Sequence, residues 1–313
     1  MRRKVIQIAG STKMVSLPHK WCKKYDIAKG EEINLDINED KISISPLSGS
    51  NIEKAELDVS ELERMSIRAI HAMYKRGVDE LRVNFKDPNK IRDIQSAIGK
   101  EAMSFEIIEQ GRDYCIIKSI AENLEEFGPI LRRTFLLVVN MANDMELALS
   151  KKDFSRLKEV VFLEETNNRY TTFCRRLLNK KGASEYNKIG PIYYIVEELE
   201  NIADYYKFIC KWYMDFDNKK NLKLSNEALD IFKEVNFYFK EFYELFYKFD
   251  SKKINKLYEK RKLLIDKCLE QINKNTQEYC TVLLYNSWTI LQHTFCMIGP
   301  YMVLKAGKIV NEN

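Results

Sequence analysis

The stretch Ile192-Tyr193-Tyr194-Ile195-Val196-Glu197-Glu198-Leu199-Glu200-Asn201-Ile202-Ala203-Asp204-Tyr205-Tyr206 decides how the larger part of this chain must fold. Its apolar residues Ile192, Ile195, Val196, Leu199, Ile202, Ala203 and Tyr206 recur at steps of three and four, the period of one helix face. Beside that stripe, Glu197, Glu200 and Asp204 form an acidic row. Like charges so spaced cost a helix roughly 0.2–0.5 kcal/mol per pair unless a cation offsets them. The row therefore needs either Lys and Arg neighbours or a bound metal ion.

The same period extends both ways. From about Ile120 onward no strand pattern occurs, and six long helical patterns follow. They break near Ser150-Lys151, Lys181-Gly182, Asn218 to Asn221, Asp250-Ser251 and Asn273 to Asn275. Phe135, Val138, Val139 and Ala142 carry the first stripe; Leu157, Val160 and Val161 carry the second. On that second helix Leu157, Val161, Glu164, Asn168 and Thr171 share a face, so Glu164 is expected to continue the buried stripe. Leu149 to Asp153 and Phe246 to Asp250 form a weak repeat, each Asp standing where a helix N-cap belongs. Two tandem three-helix bundles, about 120–217 and 222–305, are the simplest architecture. Tyr279 to Leu304 carries no Asp, Glu, Lys or Arg, a length that could span a bilayer. Asn286, Gln292, His293 and Gly299-Pro300 interrupt it, so a buried core helix without membrane insertion is expected.

Upstream, residues 52 to 118 read as a small α+β module. Helices are expected over Ser60 to Arg76 and Pro88 to Ala97, with strands over Leu81 to Phe85, Phe105 to Glu109 and Tyr114 to Ile117. Pro46 to Ser50 is a linker signal. Before it, Val5 to Ile8, Met14 to Leu17, Ile33 to Ile37 and Ile42 to Ile44 read as short strands, with a helical turn over His19 to Tyr25. Such a piece is too small to close a core alone, and an intertwined dimer would bury its apolar faces. Between Met1 and Tyr25 stand Arg2, Arg3, Lys4, Lys13, Lys20, Lys23 and Lys24 with no Asp or Glu. A dimer would present that patch twice, as a phosphate-backbone binder would. A solvated basic face with no partner fits the charge equally.

Composition excludes other classes. With 45% hydrophobic and 31% charged residues, 11 Gly and 6 Pro, the 313-residue chain is neither collagen-like nor disordered. Seven cysteines without a C-x-x-C pair, most of them among apolar neighbours as in Ile209-Cys210 and Phe295-Cys296-Met297, fit buried thiols in a reducing cytoplasm. The amino terminus holds no apolar run of signal-peptide length, so a cytoplasmic protein is expected. No phosphate-binding loop, dinucleotide turn, H-E-x-x-H helix or G-x-S-x-G elbow occurs, and His19, His71 and His293 lie in different regions. His293 reads as a core histidine. An enzyme is not expected.

Two stretches resemble known families. Val15-Ser16-Leu17-Pro18-His19-Lys20-Trp21, Ile27 to Ile33 and Asp40-Lys41-Ile42-Ser43-Ile44 resemble the AbrB/MazE/SpoVT swapped-hairpin DNA-binding domain over residues 3 to 46. That resemblance implies a homodimer touching double-stranded DNA through Lys20, Lys23 and, beside them, Lys13 and Lys24. Leu163 to Tyr170, with Arg175 or Arg176 downstream, and Val196 to Tyr205 resemble the E-x-x-x-D-R and L-E-x-I-x-D elements of PhoU proteins, over residues 120 to 313. PhoU domains are tandem three-helix bundles that bind metals and regulate phosphate uptake, contacting the transporter and its sensor kinase. The middle segment, with Ser104-Phe105-Glu106-Ile107-Ile108-Glu109, is similar to archaeal proteins joining an AbrB-like domain to a PhoU domain.

These resemblances imply a multidomain α+β chain: a swapped-hairpin β domain over 1–48, an α+β connecting module over 52–118 and PhoU-like helices over 120–313. Glu164, Asn168, Glu197, Glu200 and Asp204 would hold one divalent or trivalent ion (Mg, Mn, Zn or Fe) in the first bundle, Asn168 standing where the family has Asp. The last helix has Ser287, Trp288, Thr289 and His293 where acidic ligands would be sought, so a second metal is not expected. The function implied is a DNA-binding regulator of phosphate uptake. Alternatives are a dimeric adaptor for a phosphate transporter or sensor kinase that does not bind DNA, and a metal-dependent hydrolase.

Overall fold

A computed structural model of the chain describes residues 2–8, 10–38, 41–46, 52–120, 127–182, 186, 188–216, 223–274 and 277–305. The expected break at Asn218 to Asn221 lies outside these residues. The chain is a mixed α+β protein, mostly helical, with small sheets in its amino-terminal part and helices in its carboxy-terminal part. It divides into two units, Met1–Glu53 and Lys54–Asn313.

In the first unit, β1 (Ile6–Ile8) and β2 (Thr12–Met14) pair antiparallel, Ile6 facing Met14. Gly10, at φ +80°, takes the left-handed position in their turn. Pro18 precedes α1 (His19–Lys24), and its carbonyl accepts from the amides of Trp21 and Cys22. A second hairpin, β3 (Ile33–Asn38) with β4 (Lys41–Pro46), aligns Leu35 with Ile44 and Ile37 with Ile42. None of the described residues of this unit is buried, and Val5, Ile6, Ile8, Met14, Val15, Leu35, Ile37, Ile42 and Ile44 are exposed. Among its described residues a single copy therefore shows no core here.

The second unit opens with a four-stranded sheet ordered β5-β6-β8-β7. β5 (Lys54–Asp58) runs parallel to β6 (Glu80–Asn84), and α2 (Ser66–Arg76) forms the crossover. α3 (Lys90–Glu101) leads to the antiparallel pair β7 (Phe105–Gln110) and β8 (Tyr114–Ser119). The sequence reading missed β5, whose Lys54, Glu56 and Asp58 leave only Ala55 and Leu57 as an apolar face. It also began the first helix too early: Val59 to Met65 forms turns, with the Leu62 amide on the Val59 carbonyl and the Met65 amide on that of Leu62.

Among the described residues six long helices follow. They are α4 (Phe127–Lys151), α5 (Leu157–Lys181), α6 (Ile189–Asp215), α7 (Asn226–Tyr247), α8 (Ser251–Asn273) and α9 (Glu278–Cys296), with a short α10 (Ile298–Leu304). α5 packs against both α4 and α6, and α7, α8 and α9 pack on one another. The pairs α4–α7 and α6–α9 join the two trios. Asp250 caps α8, accepting from the amides of Lys252 and Lys253. Asp153 does not cap α5. A 3-10 turn over Phe154–Arg156 intervenes, and the Asp153 carboxylate takes the Ser155 hydroxyl instead. The uncharged stretch splits at Met297 and buries Leu283, Leu284, Ile290 and Leu291. Among the described residues no helix is long and apolar enough to cross a membrane.

The sheet and the helices share one unit because α2 and α3 pack on α5. Arg176 of α5 is 1% exposed and reaches the carbonyls of Tyr74 (3.0 Å) and Val78 (2.6 Å), beside the Asp79 carboxylate. Its guanidinium also lies over the rings of Tyr74 and Phe105. A buried guanidinium needs this many partners to offset its desolvation.

Candidate functional site

Seven basic side chains, Arg2, Arg3, Lys4, Lys13, Lys20, Lys23 and Lys24, are exposed on the amino-terminal unit. α1 carries three of them in six residues, with Lys23 and Lys24 in its last turn, where cations suit the helix dipole. The rings of Trp21 and Tyr25, one turn apart, lie tilted against each other with centroids 5.3 Å apart. Lys13 stands on β2, and Arg2, Arg3 and Lys4 precede β1. None of the seven forms an ion pair with a described residue.

The acidic candidates lie together where α5 meets α6. Glu164 is 2% exposed, so the buried position expected from its stripe is observed. Its Oε1 accepts from Lys207 Nζ at 2.7 Å and from Asn168 Nδ2. Lys207 also donates to Asp204, one turn earlier on α6. Along the same seam, Arg175 pairs with Glu200, and its Nε lies 2.9 Å from Glu197 Oε1. Thr171 donates to Glu200 at 2.7 Å. The five residues singled out from sequence thus converge, but as two clusters, one on Lys207, which the sequence reading did not single out, and one on Arg175, named there only within the PhoU-like element.

Electrostatics follow from that geometry. Burial pushes the Glu164 carboxyl above the ordinary carboxylate range; Lys207 opposes the rise and nearby Asp204 adds to it. Burial pulls Lys207 down, but its bonds to Asp204 and Glu164 outweigh that and hold it above its usual value. Four carboxylates against two cations leave the seam net negative, and Asn168 Oδ1 is buried without a hydrogen-bond partner among the described residues. Both features suit a hard cation. Yet the carboxylates already face ammonium and guanidinium groups, so an ion would have to compete with Lys207 or Arg175 for them. Among the described residues no group of three His, Cys, Asp or Glu is arranged to hold a metal.

His293 is half-buried, and its Nδ1 lies 2.5 Å from Glu198 Oε2 across the α6–α9 junction. Burial pushes the Cys174, Cys210 and Cys268 thiols up to about 12, which keeps them protonated and inert. Cys296, expected among the buried thiols, is exposed, and Cys22 is half-buried.

No protein-family model, no curated protein and no solved structure matches this chain. Among the residues missed from sequence, Lys207 had a local signal: it stands three residues after Asp204, where a cation offsets an acid.

Proposed function

We propose that this chain is a DNA-binding transcriptional regulator of phosphate uptake. Its amino-terminal unit acts as an AbrB/MazE/SpoVT-type swapped-hairpin homodimer, and its helical body is PhoU-like and senses or docks. The observation that carries the DNA reading is an exposed, acid-free basic patch on a unit whose apolar side chains find no core in a single copy. Pairing two copies would cover Leu35, Ile37, Ile42 and Ile44 and double the positive charge facing a duplex. The link to phosphate rests on the sequence resemblance of the α5 and α6 acidic elements. A metal ion in the first bundle belongs to this proposal as a competitor of Lys207 for Glu164 and Asp204.

Fluorescence anisotropy of the full chain on a labelled genomic-fragment pool tests the reading. Binding should weaken steeply with salt, by close to one power of salt concentration per phosphate neutralised. It should collapse in Lys20→Glu/Lys23→Glu/Lys24→Glu, whose exposed positions leave the fold intact. Absence of binding at low salt would sink the transcriptional reading. The adaptor reading would then stand, since Phe162 and Phe208 are 67% and 54% exposed on α5 and α6 and offer the helical body an apolar contact surface.

A further inference from the structure

We infer that the second unit holds a binding site for a small amphipathic monoanion, in the groove between α3, the start of β7 and α5. This inference is independent of the DNA and phosphate readings. The groove is open to solvent and offers about 450 Å3, within the range of small-molecule sites. Ile98, Met103 and Ile107 give it an apolar wall above buried Phe105, and Arg169 of α5 stands at its edge.

Arg169 identifies the charge of the ligand. Arg175 and Arg176, the next two arginines on α5, are buried on carboxylates and carbonyls. Arg169 is exposed and makes no hydrogen bond or ion pair with a described residue. A guanidinium left open beside an apolar wall is suited to a carboxylate or a similar planar anion. Glu106 stands on the same rim, and its negative charge disfavours a polyanion. The pair selects a head group carrying a single negative charge, with the ligand's apolar body against Ile98, Met103 and Ile107.

The walls are fixed before any ligand arrives. The Tyr74 hydroxyl donates to the Met103 carbonyl at 2.9 Å, and the Ile120 amide donates to that of Ser104 at 2.8 Å. His71 sits between the Ala97 carbonyl (2.9 Å) and Glu101 (3.2 Å), and Thr172 of α5 also donates to Glu101. Ser104 holds φ +66°, a backbone conformation that non-glycine residues seldom adopt. Gly99 completes the opening: a Cβ built there meets nothing within 4 Å. A groove held open in this way loses little freedom on binding.

The test is isothermal titration of the full chain with 4-phenylbutyrate and with its neutral counterpart 4-phenylbutan-1-ol. The carboxylate should bind saturably below about 10 mM, and the alcohol about tenfold more weakly or worse. Arg169→Gln should cost the carboxylate about tenfold and leave the alcohol unchanged. Gly99→Phe, which fills the opening at a position free of backbone strain, should abolish both. Thermal melts matching or exceeding the wild type would show that each variant folds. Equal binding of acid and alcohol, wild-type binding by both variants, or no saturation with either probe would overturn the proposal.

Discussion

Arg176 and Asp79 stand 97 residues apart in sequence and meet at 2.7 Å, closing the contact between helix α5 and the sheet-bearing segment. Lys180 shares the same carboxylate. Replacing Arg176 by Met would leave Asp79 and the Tyr74 and Val78 carbonyls short of a donor, which should cost about 3–5 kcal/mol. Arg176→Met/Asp79→Asn should be less destabilised than the sum of the single changes, with a coupling of about 0.5–3 kcal/mol. Urea unfolding followed by circular dichroism measures both. If Arg176→Met stays within about 0.5 kcal/mol of the wild type, the two parts are not docked through this residue.

That contact also marks where sequence stops being informative. The α6 stripe and the burial of Glu164 were legible because helical period is a local property. β5 was not, because an edge strand alternating charge with Ala55 and Leu57 carries too little apolar signal. The Asp153 and Asp250 repeat looked alike in sequence, yet a 3-10 turn separates only the first from its helix. The partners of the acidic row were harder still. Arg175 reaches Glu197 and Glu200 from another helix, and Lys207 bridges to Glu164 across α5 and α6. No spacing rule ties residues together over such distances. The groove at Arg169 is likewise assembled from α3, β7 and α5, and no single segment announces it.

Lys207 is the cation that Glu164 and Asp204 share in the seam between α5 and α6. Replacing Lys207 by Met would leave Glu164 and Asp204 facing each other without their shared cation. Stability should fall at neutral pH. Glu164 has a raised folded-state pKa, so what it contributes is present at acid pH and lost as pH rises through that value. The deficit of Lys207→Met should therefore shrink as pH falls towards 4. Manganese, followed by titration calorimetry or the paramagnetic resonance signal of the free ion, should bind Lys207→Met more tightly than the wild type. Failure of manganese to bind even this variant would remove the metal from the proposal.

Glu164→Gln isolates the cost of burying the charge. Glutamine resembles the protonated acid in shape and still offers Lys207 an acceptor. Because burial raises the Glu164 carboxyl, its ionised form costs stability at neutral pH. The variant should melt above the wild type at pH 7, and the difference should vanish near pH 4 as Glu164 takes up its proton. A lower melting temperature at pH 7 would mean that attraction to Lys207 outweighs burial.

The Glu198 carboxylate, bonded to His293, should show the opposite pH dependence. Burial raises the Glu198 carboxyl, but hydrogen bonds from His293 and Tyr194 outweigh it and hold the group below its ordinary value. A depressed carboxyl contributes stability above its unfolded pKa of about 4.5 and loses it as pH falls through the folded value. His293→Ala should therefore destabilise the α6–α9 junction at pH 7, and its melting curve should converge with that of the wild type as pH falls through the folded Glu198 value. Parallel curves across that range would assign the loss to packing against Tyr205, whose ring lies 5.2 Å from that of His293.

Ile37 and Ile42 face each other across the β3–β4 hairpin and are 74% and 65% exposed in one copy. Leu35 and Ile44 continue the same face. Burying one such side chain is worth about 1.5–3 kcal/mol, so four of them on each of two copies would supply much of what holds a dimer together. Ile37→Glu/Ile42→Lys keeps the hairpin pair complementary in charge while making its face polar. Light scattering on the full chain should give a dimer for the wild type and a monomer for this variant. DNA binding should weaken with it, because one copy presents half the basic patch and engages about half as many phosphates. A monomeric wild type that still bound DNA would break the link between hairpin pairing and DNA contact. A dimer that survived both substitutions would place the self-association elsewhere in the chain.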